Sequence, residues 1–375
     1  MSEVWRLQTK TEVSEKNKLE DKVAKELIKR KIVAIGWTLR EDIYNELTMS
    51  EKNKLEKNEK LIKNNFKEYK KIIEQETYET IKGEKKKFFN GKINNSLNNL
   101  KKLKENDLVW IRSKGKYYLG RITEKSHYLY AYRDSKKDSD ILKLGINNQF
   151  TDVEWLEIGD ESDIPGSIST SFIRGTALRR IKQKGSLEIS QILYNRHIKK
   201  DHYPINKIEN NIENFYSLLS PTGCEDLLYF FFYHKFKYIA IPSTNKTNTQ
   251  TYEFVMLSPK NRKKKIYIQA KNGNSEKVDL YLDDYLDLNG KVYLLTTGGK
   301  IYESKEKKEK KKALKIEFKN NSFMKKIGST NTNKKIYAVN PEAIYEFAKR
   351  AYKDETILMP HSILQWFKYL EEEKE

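Results

Sequence analysis

Apolar residues recur along this chain with two periods, and the switches between them outline its elements. Val4-Trp5-Arg6-Leu7 reads as a short strand, after which Leu19, Val23 and Leu27, with Ala24 and Ile28, keep the i, i+4 spacing of a helix from about Ser14 to Lys31. Ile32 to Trp37 is a continuous apolar run, read as a buried strand. Leu55, Ile62, Phe66, Tyr69 and Ile73 hold a helical period amid Lys and Glu, and Gly83 interrupts it before a further helical stretch near Lys92 to Leu103. After Asn106-Asp107 the period becomes that of strands. Leu108 to Arg112, the turn Ser113-Lys114-Gly115-Lys116, and Tyr117 to Ile122 predict a hairpin, continued by Tyr128 to Arg133 and Asp152 to Leu156.

A loop at Ile164-Pro165-Gly166 leads into Ser171 to Ile198, read as a basic helical region. Beyond it lie a helix from roughly Lys207 to Leu219, a break at Pro221-Thr222-Gly223, and a helix from Glu225 to Tyr233 that is apolar nearly all round and so buried. Strands follow at Lys237 to Ile241, Tyr252 to Leu257, Lys265 to Lys271 and Lys291 to Thr296, bounded by turn residues. Helical segments after Pro341 and Pro360 end the chain. No internal repeat appears.

Composition then narrows the function. The 375 residues suffice for two domains, and 12 % aromatic content gives a chain that can fill cores. The net charge of +20 favours polyanionic partners, although the run Glu303 to Lys312 reads equally as a solvated charged segment. The single cysteine, Cys224, excludes a disulfide framework and Cys-rich zinc modules. With no apolar run near the roughly 18 residues of a membrane span and no basic, apolar leader, a cytoplasmic location is expected. The five histidines lack zinc-ligand spacing, and Gly298-Gly299-Lys300 lacks the rest of a phosphate-binding loop, so no ATP site is expected.

Chemistry concentrates in the second half. On the strand ending at Lys271, Gln269 and Lys271 share one face by alternation, Glu253 lies on the preceding strand within reach, and Glu225 opens the buried helix. Two carboxylates, an amide oxygen and an ammonium are the groups a Mg2+-dependent phosphodiesterase needs: hard oxygens for the cation, and a lysine to orient water and offset charge.

This order, helix Glu225, strand Glu253, then Gln269-Ala270-Lys271 with Asn272-Gly273, resembles the PD-(D/E)xK nuclease superfamily, most closely its Mrr-like restriction endonucleases, over about Lys207 to Trp366. The resemblance implies Glu225, Glu253 and Gln269 as metal-binding and catalytic groups for Mg2+ or Mn2+, with Lys271 as the catalytic lysine. The family usually carries Asp where Glu253 stands.

Residues Val4 to Phe172 resemble, in Ile32 to Trp37, Asn106 to Trp110, Tyr117 to Ile122 and Val153-Glu154-Trp155, PUA-like barrels of the EVE type, with a lysine-rich helical insertion at about Glu41 to Leu103. Such barrels can bind a modified base, which makes Trp37, Trp110 and Tyr118 expected pocket walls, against the alternative that they are core. The expected fold is thus a two-domain α+β / α/β protein: an EVE-type PUA-like β-barrel over 1–175, a basic helical connector over 176–206, and a restriction-endonuclease-like α/β domain with a central mixed sheet over 207–375. Arg174, Arg179, Arg180, Lys182 and Lys184 are expected phosphate contacts.

The expected function is a Mg2+-dependent DNA endonuclease that restricts foreign (phage) DNA carrying modified bases, needs neither ATP nor membrane, and acts as a homodimer if both strands are cut. Two alternatives stand beside it. One is a catalytically inactive nucleic-acid-binding protein, for instance on RNA; the other is a toxin-like nuclease switched on by a partner or ligand.

Overall fold

A computed structural model describes residues 2–9, 19–36, 46–75, 77–87, 95–131, 144–173, 176–183, 185–205, 207–244, 251–273, 278–305, 313–319 and 322–371. The chain is a mixed α+β protein with several sheets, folded as two compact units. The first comprises Met1–Ile164, Ser171–Lys182 and Ser186–Tyr203, and the second Pro165–Thr170, Gln183–Gly185 and Pro204–Glu375. Among the described residues no helix is long and apolar enough to cross a membrane.

The first unit runs β1 (Val4–Leu7), α1 (Glu20–Arg30), β2 (Val33–Ile35), α2 (Met49–Ile62), α3 (Phe66–Gln75), β3 (Thr77–Glu79), β4 (Lys85–Lys87), α4 (Asn95–Leu100), β5 (Leu108–Ser113), β6 (Lys116–Ile122), β7 (Tyr128–Tyr130), β8 (Asn148–Phe150), β9 (Val153–Gly159), β10 (Leu178–Arg180) and α5 (Ser186–Ile198). The β5–β6 hairpin turns through Lys114 and Gly115, both at positive φ (50° and 76°), the geometry of a two-residue turn whose twist matches that of the strands. Val23, Ala24 and Leu27 of α1 enter one core with Trp5, Leu7, Val109, Ile111 and Ile122.

The expected barrel does not form. The main sheet is open, in the order β10-β1-β5-β6-β9, with β1 and β5 parallel, while β2, β8 and β7 make a separate sheet of their own. Closure would require the edge strands β9 and β10 each to take a second partner, yet among the described residues β9 pairs with β6 alone and β10 with β1 alone. The stretch read as a helical connector also differs: Leu178–Arg180 is a strand antiparallel to β1, with Leu178 opposite Leu7 and buried in the core, and helix begins only at Ser186.

In the second unit follow α6 (Ile212–Leu218), α7 (Pro221–Phe236), β11 (Ile239–Ala240), β12 (Phe254–Ser258), β13 (Asn261–Lys271), β14 (Leu280–Tyr281), β15 (Gly290–Thr296), β16 (Ile301–Tyr302), β17 (Met324–Ser329), β18 (Lys335–Val339) and α8 (Pro341–Lys353). Its six-stranded sheet has the order β11-β12-β13-β15-β18-β17, with β13, β15 and β18 parallel and the outer strands antiparallel. Both faces are covered, which is why Ile266 to Ala270 and Val292 to Leu295 are continuous buried runs. Phe232 of α7 packs edge-on against Tyr293 on one face (4.7 Å between ring centroids), and Tyr267, Val292, Leu294, Ile336 and Ala338 line the core on the other.

Candidate active site

The site is built at the end of β13 from three elements. Glu253 directly precedes β12, and its N–H donates to the Ile268 carbonyl (2.9 Å), which sets it opposite Gln269 across the antiparallel pair. Gln269 and Lys271 are two residues apart on β13 and so project from the same face. Both converge on one atom: Glu253 Oε1 accepts from Gln269 Nε2 at 2.8 Å and from Lys271 Nζ at 2.7 Å. The Glu253 side chain is 15 % exposed and that of Lys271 38 %, so the pair lies at the mouth of the core and not on the open surface.

The fourth residue comes from α7. Ser220 caps that helix by accepting from the Gly223 N–H (2.9 Å), Pro221 fixes its first turn, and Glu225 follows one turn in. Burial and, next, the negative charge of Glu253 push the Glu225 carboxyl from its ordinary 4.5 up to about 7, with the Lys271 ammonium opposing them. Glu225 therefore shares the electrostatic environment of Glu253 and Lys271. The neighbouring Cys224 thiol is fully buried, its pKa raised by burial and by Glu225, which makes it a packing group and not a nucleophile.

One polar atom here is unsatisfied. Gln269 is 1 % exposed, and among the described residues its Oε1 has no hydrogen-bond donor. The amide cannot relieve this by turning over, because its Nε2 would then leave Glu253 and its oxygen would face a carboxylate. A buried amide oxygen left without a partner costs about 1–3 kcal/mol. Among the described residues no group of three His, Cys, Asp or Glu side chains is placed to hold a metal. The donor set of Glu225, Glu253 and Gln269 nevertheless suits a small hard cation: all three offer oxygen, the charge of Glu253 raises the proton affinity of Glu225, and among the described residues the amide oxygen lacks a partner.

Asn272, the residue after Lys271, ties these elements together, a role its sequence context does not reveal. Its Nδ2 donates to the carbonyls of Tyr216 (3.0 Å) and Leu219 (2.9 Å) at the end of α6, just before the cap of α7. Its Oδ1 accepts from Thr297 Oγ1 (2.7 Å), which in turn accepts from the Gly273 N–H (3.1 Å). Asn272-Gly273 reads in sequence as a turn; the carbonyls it holds are remote in the chain and carry no residue signal.

Two of the three expected walls of a base pocket in the first unit, Trp110 and Tyr118, are not brought together. Trp110 is fully buried, with its indole N–H donating to Ser190 Oγ (2.9 Å). It lies opposite Leu119 whereas Tyr118 lies opposite Ile111, so Trp110 and Tyr118 point to opposite faces of the sheet and cannot wall one cavity. Tyr118 is half-buried against the core beside Glu157, and Trp37 lies outside the described residues. Of the expected phosphate contacts, Arg174 and Lys184 also lie outside them; Arg179, Arg180 and Lys182 are exposed, and Arg180 is paired with Glu3 at 2.8 Å.

No family model, curated protein or solved structure matches this chain.

Proposed function

We propose that the second unit is a PD-(D/E)xK-type phosphodiesterase with a restriction-endonuclease-like sheet, acting on DNA. The observation that carries the reading is the convergence of Gln269 and Lys271 on Glu253, beside a buried amide oxygen that lacks a donor and a carboxyl held near neutrality. Phosphodiester hydrolysis joins a water oxygen to phosphorus and releases an ester oxygen, and negative charge grows on the phosphoryl oxygens between those events. Lys271, fixed by Glu253, presents its ammonium to that charge and to the incoming water. Mg2+ or Mn2+ held by Glu225, Glu253 and Gln269 would supply further positive charge at the phosphate and lower the pKa of its water. Glu225 is half protonated near pH 7, so a cation needs to displace only part of a proton to engage it.

Selection of the DNA does not rest on Trp110 and Tyr118 as a common pocket, since they occupy opposite faces. The test is digestion of matched unmodified and modified DNA panels by the full chain with Mg2+ or with EDTA. Cleavage that requires the cation and is lost in Lys271→Ala supports the reading. Equal cleavage by purified, folded Lys271→Ala overturns it.

A further inference from the structure

The sheet of the second unit has a second charged end. The strands β13, β15 and β18 are parallel, so all three begin at the end opposite Lys271. Lys291 pairs with Ile266, and continuing the register from Val292–Ile336 places Lys335 level with Lys291 on the next strand. Arg262 and Lys264 precede Ile266 on the same strand, in the stretch where β13 carries extra residues opposite the Leu257–Ser258 step of β12. Lys265, next to Ile266, lies on the other face, and Lys263 and Lys334 stand at the same rim. Residues 262–265, 334 and 335 are exposed and Lys291 is half-exposed.

These cations come from three separate stretches of sequence, which is why no run in the chain announces them. Neighbouring strands are about 4.8 Å apart and alternate residues about 6.7 Å, so the backbone positions of these cations lie within about 5–12 Å of one another, comparable to the Debye length of about 8 Å, and their charges add at the rim. Among the described residues none of these side chains is paired with a carboxylate. The acids in the segment before β15 each engage one oxygen elsewhere: Asp283 Oδ2 accepts from Ser304 Oγ (2.9 Å), Asp284 Oδ1 pairs with Lys305 (2.6 Å), and Asp287 Oδ1 accepts from Asn331 (2.9 Å). Strands folded with their unpaired cations gathered at one rim are relieved by a polyanion whose own charges are closely and regularly spaced.

We infer that this basic rim is a second docking surface for a nucleic-acid backbone, remote from the candidate active site. Seven residues of extended chain separate Lys264 from Lys271, about 23 Å, so one phosphate cannot meet both and a duplex must reach the rim with another part of its length. The inference concerns binding alone and does not require the second unit to be a nuclease.

The test uses the full chain, a fluorescent 30-base-pair duplex and EDTA, with affinity read by anisotropy across a salt series. Relative to wild type, K264Q/K291Q/K335Q should lower the slope of log K against log salt by about 2.7 and weaken binding roughly 100-fold at 0.1 M salt. The charge-matched K22Q/K25Q/K57Q, at positions exposed in α1 and α2, should leave the slope near that of wild type. K271A removes one cation at the candidate active site and should lower the slope by no more than about 0.9, which separates the contribution of the rim from the fate of the nuclease reading. An unchanged slope in the rim variant at wild-type melting temperature overturns the inference, as does an equal loss in the control or no duplex binding by wild type. Competition by polyglutamate as effective as by DNA of equal charge would assign the rim to an acidic protein and overturn it too.

Discussion

The tryptophans of the first unit and the carboxylates of the second are both polar groups set into an apolar sheet, and they solve that problem differently. Trp5 donates to Asp107 (3.0 Å), Trp110 to Ser190 (2.9 Å) and Trp155 to the Ile32 carbonyl (3.3 Å), so each described indole of that sheet has its partner within the fold. At the end of β13, by contrast, Gln269 Oε1 has none and Glu225 retains a proton near neutral pH. Satisfied polar groups hold a structure together, whereas a buried oxygen without a donor beside a carboxyl of raised pKa is where a cation would be sought.

The comparison breaks most visibly on Trp110. Trp110→Ala removes a fully buried indole and leaves Ser190 without its donor, so the unfolding free energy should fall by about 3–5 kcal/mol in a denaturant titration. A variant that keeps its stability but loses discrimination between modified and unmodified DNA would return Trp110 to a binding role. Lys271→Ala should behave in the opposite way. Cleavage should drop at least 100- to 1,000-fold, the scale for removing one preorganised charge-stabilising group, while the melting temperature stays close to wild type, since the lysine is partly exposed.

Much of this division was legible in the sequence, and the part that was not has physical causes. Alternation across Tyr267 to Lys271 places Gln269 and Lys271 on one face because a strand has period two, and the apolar helix carrying Glu225 announces its own burial. The faces of Trp110 and Tyr118 were also readable: a two-residue turn at Lys114-Gly115 pairs Ser113 with Lys116, and counting back sets Trp110 against Leu119. Sheet closure was not readable, because it depends on which edge finds a partner and not on any single strand. β17 was missed since its residues, including Lys325 and Lys326, are exposed or half-exposed on both faces and show no alternation. The rim of lysines was hidden by the same long-range pairing.

Asn272→Ala sharpens the second region at a smaller scale. Its loss frees the Tyr216 and Leu219 carbonyls and Thr297 Oγ1, and at about 1 kcal/mol per bond stability should fall by roughly 2–3 kcal/mol. As a positioning residue, it should also change the pH dependence of cation binding by altering the placement of α7 and its Glu225; a loss of stability with an unchanged pH profile would confine Asn272 to packing.

Glu225 makes a pH-dependent difference. Its folded-state pKa of about 7 lies above the ordinary 4.5, so without divalent cation its contribution to stability is fully present below 4.5 and lost as pH rises through 7. Glu225→Gln should therefore flatten the stability profile over that window relative to wild type. Mg2+ binding to wild type near pH 6.5 should release a fraction of a proton, seen as a buffer-dependent heat in calorimetry, and Glu225→Gln should abolish that release. A buffer-independent heat in wild type would remove Glu225 from the cation site.

The smallest expected effect is the most specific. Gln269→Leu loses the bond to Glu253 but also removes the amide oxygen that lacks a donor, and these terms oppose one another. In EDTA the unfolding free energy should change by less than about 1 kcal/mol. With Mg2+ the two proteins should part: wild type gains in melting temperature as the cation engages Gln269 and the carboxylates, and the leucine variant, lacking that oxygen, gains little. If Gln269→Leu is strongly destabilised in EDTA yet keeps the full response to Mg2+, then the amide serves the core as the tryptophans do, and the contrast between the two regions disappears.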